Sequence, residues 1–377
     1  MSGKYILYGA GRQGTEALQK YGKDRVAYFC DGFSDKADVD GVKLIRPEEL
    51  YKLCSGEKEY TVVITPKIEK VRAEIITELE KRGITYLIYG KTDDGAYGSK
   101  TFSIVGNGSS PQFIIDEEET KGYNWRVKPT VAMFRLMFDR CRKDFCDKEL
   151  DITVFVGDHV QDAYEQKNKR GRSTIFAYST IYALSDAVIP IPDYRFCFDP
   201  TEYPFEETPE KCRAAASAPW NDKRIAWRGT IASSDERRWL ELLAAKHTDK
   251  LLVEDPAWEK NNVYIPMTEL AKYKYTLDIR GYGWTDRVKV LMQLGRPLFL
   301  VDRPYREWYF DRLEPMKHFV PVREDLSDLI EKYDYLEEHP DVYRDITDEM
   351  RCFADRYFAP DYVLGYLKNA VLQYGVV

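Results

Sequence analysis

The chain has 377 residues, of which 44% are apolar and 32% charged, and this composition is typical of a globular protein of two or three domains. Its formal net charge of −7 argues against a general nucleic-acid-binding protein. The seven cysteines include no C-x-x-C pair and are odd in number, so we expect reduced thiols and a cytoplasmic protein. The first apolar run is too short for a signal peptide or a membrane span.

Residues 1–95 are predicted to form a Rossmann-like α/β domain. An apolar strand precedes, and a helix follows, three glycines with the spacing G-x-G-x-x-G: Gly9, Gly11 and Gly14. The next strand ends in Asp31, about 20 residues further on, as in dinucleotide-binding folds. Two interpretations are open: the glycines bind a nucleotide with Asp31 on a ribose, or they only make the tight turn. The polar segment 91–100 is predicted to end this domain.

A second α/β unit, residues 100–222, contains a candidate general base. Residues 152–156 form an apolar strand, and Asp158 and His159 follow it directly. In open α/β sheets, ligands bind at the carboxyl ends of the strands, so both side chains are candidates for a site at this edge. The alternative for Asp158 is a loop carboxylate that caps the next turn.

The third unit, residues 223–377, contains a turn that is adapted to an anion. Arg228, Gly229 and Thr230 follow a short apolar strand. Ser233 and Glu236 have the spacing of a capping box, which predicts the start of a helix. Arg237 lies in the first turn of that predicted helix, where the free backbone N–H groups already favour an anion.

The same arrangement occurs a second time further along the unit. An apolar strand at 275–279 precedes Arg280 and Gly281, and a helix is predicted to begin near Thr285 with Arg287 and Lys289 in its first turn. A solvated surface turn is the alternative for either segment alone. Two such turns together predict a clamp for a nucleoside diphosphate without a metal ion, in which each charged hydrogen bond contributes about 1.5–3 kcal/mol.

Three segments of the chain resemble glycosyltransferase family 90, which includes protein O-glucosyltransferases and capsule-associated and lipopolysaccharide-modifying transferases. These segments are WRGTIASSDER, YKYTLDIRGYGWTDRVKVLMQLGRPLFLV and YFDRLEPMKHFVPVREDLSDLIE. The resemblance implies a GT-B fold of two Rossmann-like halves, following the N-terminal Rossmann-like domain. It assigns the acceptor and the base to residues 100–222 and the nucleotide sugar to residues 223–377, with C-terminal helices.

The resemblance also implies the roles of particular residues. The segment VFVGDHVQ is similar to the catalytic segment of the family and makes Asp158 the base. Thr230 and Thr285 stand where the family pattern has serine. No metal ligand is implied. The arginine- and glycine-containing blocks of the family place the donor on ten residues: Arg228, Gly229, Thr230, Ser234, Arg237, Arg280, Gly281, Thr285, Arg287 and Lys289.

We therefore expect an inverting, metal-independent glycosyltransferase. It would move a sugar from a UDP-sugar to a hydroxyl of a surface polysaccharide, a lipopolysaccharide or a similar glycan or lipid-linked acceptor. No cofactor is required, and NAD or another nucleotide would bind only at the N-terminal domain. We expect no nucleic-acid partner and no transmembrane segment, with peripheral membrane association left open. The alternative functions are an NAD-dependent oxidoreductase and a non-catalytic sugar-nucleotide-binding protein.

Overall fold

The structure is a computed structural model, and it describes residues 4–54, 60–66, 68–82, 84, 86–88, 99–203, 205–255 and 266–377. The chain divides into two compact units, Met1–Gly95 and Ala96–Val377. The segment 91–100, in which the sequence predicts a domain boundary, lies outside the described residues except at 99 and 100.

The first unit is an α/β layer structure on one sheet with the strand order β3-β4-β2-β1-β5-β6. Its strands are β1 (Lys4–Tyr8), β2 (Val26–Cys30), β3 (Asp38–Val39), β4 (Val42–Ile45), β5 (Tyr60–Ile64) and β6 (Tyr86–Ile88). Its helices are α1 (Arg12–Tyr21), α2 (Pro47–Cys54) and α3 (Glu69–Glu80). Neighbouring strands are parallel except in the β3–β4 hairpin. The strand order reverses between β1 and β5, which both flank the glycine loop.

The central strands of this sheet are buried on both faces. Successive side chains of a strand point to opposite faces of the sheet. Ile6 accordingly belongs to one apolar core and Leu7 to the other, and both side chains are fully buried. Val62 and Val63 in β5 are divided in the same way. A parallel sheet covered by helices on both faces therefore explains why these strands are continuous apolar runs in the sequence.

The second unit contains two sheets, and the first of them carries Asp158. Its order is β11-β10-β9-β7-β8, in which β9, β10 and β11 are parallel and β7 is antiparallel to both neighbours. The strands are β7 (Thr101–Asn107), β8 (Gln112–Ile114), β9 (Glu149–Phe155), β10 (Ile175–Ala177) and β11 (Val188–Pro190). The helices are α4 (Asn124–Arg140), α5 (Arg142–Phe145), α6 (Val160–Lys169) and α7 (Pro209–Ser217).

The other sheet of the second unit is entirely parallel, with the order β13-β12-β14-β15-β16. Its strands are β12 (Asp222–Arg228), β13 (Leu251–Glu254), β14 (Tyr273–Asp278), β15 (Leu298–Val301) and β16 (Val320–Val322). The helices that follow these strands are α8 (Asp235–Lys246), α9 (Val288–Gln293) and α10 (Leu329–Glu338). The predicted α/β class is thus confirmed for this part of the chain as well.

Two C-terminal helices join the sheets of the second unit, α11 (Pro340–Tyr357) and α12 (Pro360–Tyr374). α11 packs on α9, whereas α12 packs on α4. Beyond α12 the chain returns to β9, where the Val377 N–H donates to the carbonyl of Glu149 at 3.0 Å. Apolar side chains of both sheets and of both helices form one continuous core. Within the described residues, no helix combines the length and apolar character needed to cross a bilayer.

Candidate active site

The parallel sheet of the second unit has a switch point between β12 and β14. The chain leaves β12 for β13 on one side and then returns to β14 on the other. In open α/β sheets of this kind, ligands bind in the crevice at the carboxyl ends of the two strands that flank the switch point. The loops at this crevice begin with Gly229 after β12 and with Ile279 after β14, and both contain the arginines that the sequence singles out.

Asp278, the last residue of β14, is the buried centre of this crevice. Its side chain is fully buried, and it accepts hydrogen bonds from the Thr285 hydroxyl at 2.7 Å and from Nε of Arg287 at 2.9 Å. The guanidinium of Arg303 lies 2.6 Å from Oδ2 of Asp278, the oxygen that Thr285 also binds. Burial acts to raise the pKa of Asp278, but Arg303 and Arg287 outweigh it and hold the pKa below its ordinary value.

Two further arginines of the crevice are each paired with a carboxylate. Nε of Arg228 donates to Glu254 at the end of β13, over 2.7 Å. Arg280 donates to Glu236 in the first turn of α8, over 2.5 Å. Predicted donor-binding cations are therefore held in place by the protein itself, with their side chains largely buried.

Arg237 differs from its neighbours, because no carboxylate among the described residues lies within ion-pair distance of its guanidinium. It donates instead to the carbonyl oxygens of Arg280 at 2.8 Å and Thr230 at 2.9 Å, and to the Ser233 hydroxyl at 3.0 Å. Burial and the nearby charge of Arg287 lower the pKa of Arg237 to about 9. The crevice thus contains a buried cation that no described carboxylate contacts directly, although the more distant Asp278 acts to raise its pKa.

The glycines of the two loops allow these arginines to approach the backbone. A Cβ atom on Gly229 would lie 2.8 Å from the guanidinium of Arg287, which donates to the carbonyl of Arg228 at 3.0 Å. A Cβ atom on Gly281 would lie 3.2 Å from the guanidinium of Arg237. A side chain at Gly229 would displace the Arg287 guanidinium or Trp227, and one at Gly281 would crowd the Arg237 guanidinium, so glycine leaves room for both arginines.

The helix starts differ from the sequence-based prediction at both loops. α9 begins at Val288, with Arg287 as the preceding residue, because the Thr285 hydroxyl bonds to Asp278 and does not cap the helix. α8 is capped by Ser234, whose hydroxyl oxygen accepts the Arg237 N–H at 3.3 Å, and not by the predicted Ser233. The residue that caps α8 is therefore one position later than Ser233, and the predicted capping box of Ser233 and Glu236 was wrong.

Lys289 is bonded to a different part of the unit from the other predicted donor-binding residues. Its ammonium group donates to the carbonyl oxygen of Arg195 and lies over the ring of Phe196. Burial lowers the pKa of Lys289 to about 7, although Asp193 acts in the opposite direction. The structure thus brings together Arg228, Arg237, Arg280 and Arg287 but directs Lys289 into the packing around Arg195. The arginine cluster consists of Arg228, Arg237, Arg280, Arg287 and Arg303.

Asp158 lies three residues beyond Phe155, the last residue of β9, as the apolar strand predicts. Its side chain is 34% exposed and accepts a hydrogen bond from Arg126 at 2.8 Å. Arg126 also donates to the carbonyl of Val156 at 3.0 Å and lies over the rings of Trp125 and Tyr194. Burial acts against the charged form of Arg126, but its contacts with Tyr194 and Asp158 outweigh burial and raise its pKa. Asp158 is therefore a partly exposed carboxylate in a fixed orientation.

The loops of the two sheets meet beside Asp158. A Cβ atom on Gly283 would overlap the backbone carbonyl of Asp158, so the loop after β14 contacts the candidate base directly. The rings of His159 and Tyr282 lie 6.2 Å apart across this contact. The carboxyl ends of both sheets consequently face the same region of the unit, as an active site shared by the two sheets requires.

Asp286 forms a second link between the loop after β14 and the other sheet. Its carboxylate accepts hydrogen bonds from the Tyr194 hydroxyl at 2.6 Å and from Nε of Arg195 at 2.7 Å. Burial acts to raise the pKa of Asp286, but Arg195 and Tyr194 outweigh it and hold the pKa well below its ordinary value. Sequence analysis missed Asp286 and Arg126, since their partners are about 90 and 30 residues away along the chain and leave no local pattern.

A cavity of about 540 Å³ lies at the carboxyl ends of β15 and β16. Arg303 lines it and also contacts Asp278, so the cavity adjoins the arginine cluster. Its wall combines the apolar side chains of Phe310 and Phe319 with the charged side chain of Arg323, among others. Ligand-binding cavities are typically about 300–1,000 Å³, so this one has the size of a small-molecule site.

The glycine loop of the first unit is closely packed. Gly9 has φ +114°, and Gly14 lies against the Gly9 carbonyl and Phe29, so neither position has room for a side chain. The oxygens of Asp31 accept backbone N–H groups of Ala10 at 2.8 Å, and of Phe33 and Ser34. Of these three glycines, Gly11 alone faces open space. These contacts fit the interpretation in which the glycines make the tight turn, and they give no support for bound NAD.

Within the described residues, no group of three or more His, Cys, Asp or Glu side chains is arranged to hold a metal ion. All seven cysteines are free thiols.

Comparison with known proteins places the chain in a family. Residues 131–377 match the family model described as Glycosyl transferase family 90. Human Protein O-glucosyltransferase 1 is 29% identical over 175 residues, which cover 43% of this chain and 44% of the human protein. Human Protein O-glucosyltransferase 3 is 35% identical over 104 residues, which cover 27% and 20% of the two chains. The chain thus spans less than half the length of these relatives.

A likeness also extends to solved structures. A glycosyltransferase from Rickettsia africae aligns over 99% of both chains, with 10% identity and a TM-score of 0.35. The family match gives no support to the oxidoreductase alternative. The chain belongs to glycosyltransferase family 90.

Proposed function

We propose that the protein transfers a sugar from a UDP-sugar to a hydroxyl group of a glycan acceptor, with inversion at the anomeric carbon and without a metal ion. The observation that carries this proposal is the buried guanidinium of Arg237, which lies between the loops after β12 and β14 and has no described carboxylate partner. A diphosphate in the crevice would supply the negative charge that this cation lacks.

The donor would extend from the crevice into the neighbouring cavity. We infer that the diphosphate contacts Arg237 at the switch point, where Arg228 pairs with Glu254 and Arg287 connects the two loops by donating to the Arg228 carbonyl. The nucleoside would occupy the cavity of about 540 Å³ that Arg303 connects to the cluster. Fixed cations stabilise the charge that develops on the leaving UDP without reorganising, which supplies the role that a metal ion has in other transferases.

Asp158 would act as the general base. The acceptor oxygen forms a bond to the anomeric carbon while the bond between that carbon and the β-phosphate oxygen breaks. The electron pair of the broken bond leaves with UDP, and the hydroxyl proton passes to the carboxylate of Asp158. One oxygen of the Asp158 carboxylate accepts a hydrogen bond from Arg126 at 2.8 Å, so the group that takes the proton is held in one position. A positioned base contributes about 10²–10⁴-fold to the rate.

The proposal extends to the architecture and the acceptor. We propose that residues 100–222 and 223–377 are the acceptor-side and donor-side halves of a GT-B fold, which the contact between Gly283 and Asp158 supports. A surface polysaccharide, a lipopolysaccharide or a related lipid-linked glycan is the proposed acceptor, reached by peripheral membrane association where it is lipid-linked. The free thiols agree with the proposed cytoplasmic location.

Calorimetry and UDP release test this function on the whole chain. UDP should bind, and UDP-glucose, UDP-galactose, UDP-xylose and UDP-N-acetylglucosamine should be compared for slow hydrolysis in the absence of an acceptor. Asp158→Asn should retain UDP binding and lose turnover of the preferred donor. Binding of NAD or GDP in place of UDP, or turnover of no UDP-sugar, would contradict the proposal.

A further inference from the structure

Two exposed aromatic side chains lie near Asp158. Trp125 is 43% exposed, and its neighbours along the chain with exposed side chains, Asn124 and Lys128, are polar. Tyr282 is 60% exposed and is flanked by the buried glycines of its loop. The Trp125 ring also contacts the half-buried Phe205, with 6.1 Å between the ring centres, so its open part adjoins polar side chains and one further aromatic ring.

Contacts with neighbouring residues fix both rings relative to Asp158. The guanidinium of Arg126 lies 4.6 Å from the Trp125 ring centre and donates to Asp158 at 2.8 Å, so one buried group touches both residues. The Trp125 indole N–H donates to the Gly122 carbonyl at 3.2 Å, and the ring packs edge-on against Tyr194 at 5.0 Å. Trp125 is therefore held in place although almost half of its surface is open.

Tyr282 lies on the loop that contacts Asp158 through Gly283, and its ring lies 6.2 Å from that of His159, the residue that follows Asp158. The Tyr282 carbonyl accepts the Tyr305 hydroxyl at 3.4 Å, which helps to fix the backbone of the loop. A molecule whose hydroxyl reaches Asp158 would thus lie near two exposed rings, one at the start of α4 and one on the loop after β14.

We propose that Trp125 and Tyr282 form an acceptor-binding platform for a pyranose ring, so that the acceptor is recognised as carbohydrate and not as polypeptide. This inference rests on the proposed function of Asp158. A pyranose has an apolar C–H face that stacks on the electron-rich face of an aromatic ring, and a rim of hydroxyl groups that suits polar surroundings. Exposed ring surfaces beside the base, with the polar side chains of Asn124 and Lys128 next to Trp125, match this amphipathic shape.

Transfer to simple glycosides tests the platform. The probes are the methyl α- and β-glycosides of glucose, galactose, mannose, N-acetylglucosamine and glucuronic acid, together with a serine-containing peptide, and UDP release is measured with the preferred donor. Trp125→Ala should raise the acceptor KM by at least about tenfold, Trp125→Phe should restore most of the loss, and Tyr282→Ala should weaken acceptor use as well. UDP affinity should not change in any of these variants.

Trp220→Ala is the matched control, since Trp220 is 40% exposed and lies beside Lys274 at the amino ends of the strands, away from the crevice. It should leave the acceptor KM unchanged. Transfer to the peptide and to none of the glycosides, or equal acceptor KM values in wild type and Trp125→Ala, would overturn the platform while leaving the donor site intact. Donor turnover without any glycoside-dependent increase also counts against it. Loss of UDP binding by the wild type would instead contradict the proposed function.

Discussion

Replacing Arg237 with Met should separate ligand binding from folding in a way that the other arginines do not allow. Arg228, Arg280 and Arg287 each neutralise a carboxylate, so their removal would leave a buried charge without its partner and destabilise the fold. Arg237 has no described carboxylate partner, and its substitution leaves behind only neutral acceptors.

The expected effect on folding is small because two contributions oppose each other. The substitution removes hydrogen bonds to the carbonyls of Arg280, Thr230 and Ile279, each of which contributes about 0.5–1.5 kcal/mol. It also removes a buried cation that lies close to Arg287 and whose pKa is lowered to about 9, and each unit of such a shift corresponds to about 1.4 kcal/mol. The melting temperature should therefore change by only a few degrees.

The expected effect on UDP binding is large. A charged hydrogen bond to phosphate contributes about 1.5–3 kcal/mol, so the Kd for UDP should increase about 10- to 150-fold. Uridine, which lacks the diphosphate, should bind both proteins equally. Calorimetry measures both ligands, and Arg238→Met is the control, because Arg238 is half-buried and its guanidinium lies 3.9 Å from Asp235. An unchanged UDP affinity in the Arg237 variant would show that the diphosphate does not bind in this crevice.

Three further predictions concern the base, the metal and the first unit. Asp158→Asn should lower transfer at least about 100-fold with UDP affinity retained, whereas His159→Ala should cost much less; near-normal transfer by the Asp158 variant would reassign the base. EDTA should leave turnover unchanged, and its loss followed by recovery with Mn²⁺ would show that a metal stabilises the leaving group. A chain that begins at residue 99 should fold and bind UDP, since Ala96–Val377 forms a compact unit; folding without UDP binding would place the first unit in the donor site.

The apolar strands were predictable because their signal is local. The runs that precede Gly9, Asp158 and Arg280 correspond to β1, β9 and β14, and their order along the chain indicates the α/β class. Buried strands of a parallel sheet are continuous apolar segments, and glycine or charged residues end them, so the carboxyl edge of each sheet could be located from sequence.

The partners of the site residues could not be predicted, because they come from distant segments. Thr285 is a good capping residue by type, yet a buried carboxylate seven positions earlier binds its hydroxyl, and the helix begins three residues later. Lys289 follows the spacing of a family block, but its ammonium meets a carbonyl from another part of the unit. Tertiary contacts of this kind override local preferences and leave no periodic pattern in the sequence.

The link between Asp286 and the Tyr194–Arg195 segment restricts how the enzyme can release its product. Rotating one sheet away from the other would break both hydrogen bonds to the half-buried carboxylate of Asp286, and hydrogen bonds to charged groups contribute about 1.5–3 kcal/mol each. We therefore expect UDP to leave through a local movement of the loop at residues 279–287, and hydrogen exchange should be faster in that loop than in β9 or β14 during turnover. The two sheets would then stay fixed relative to each other, and only this loop would move.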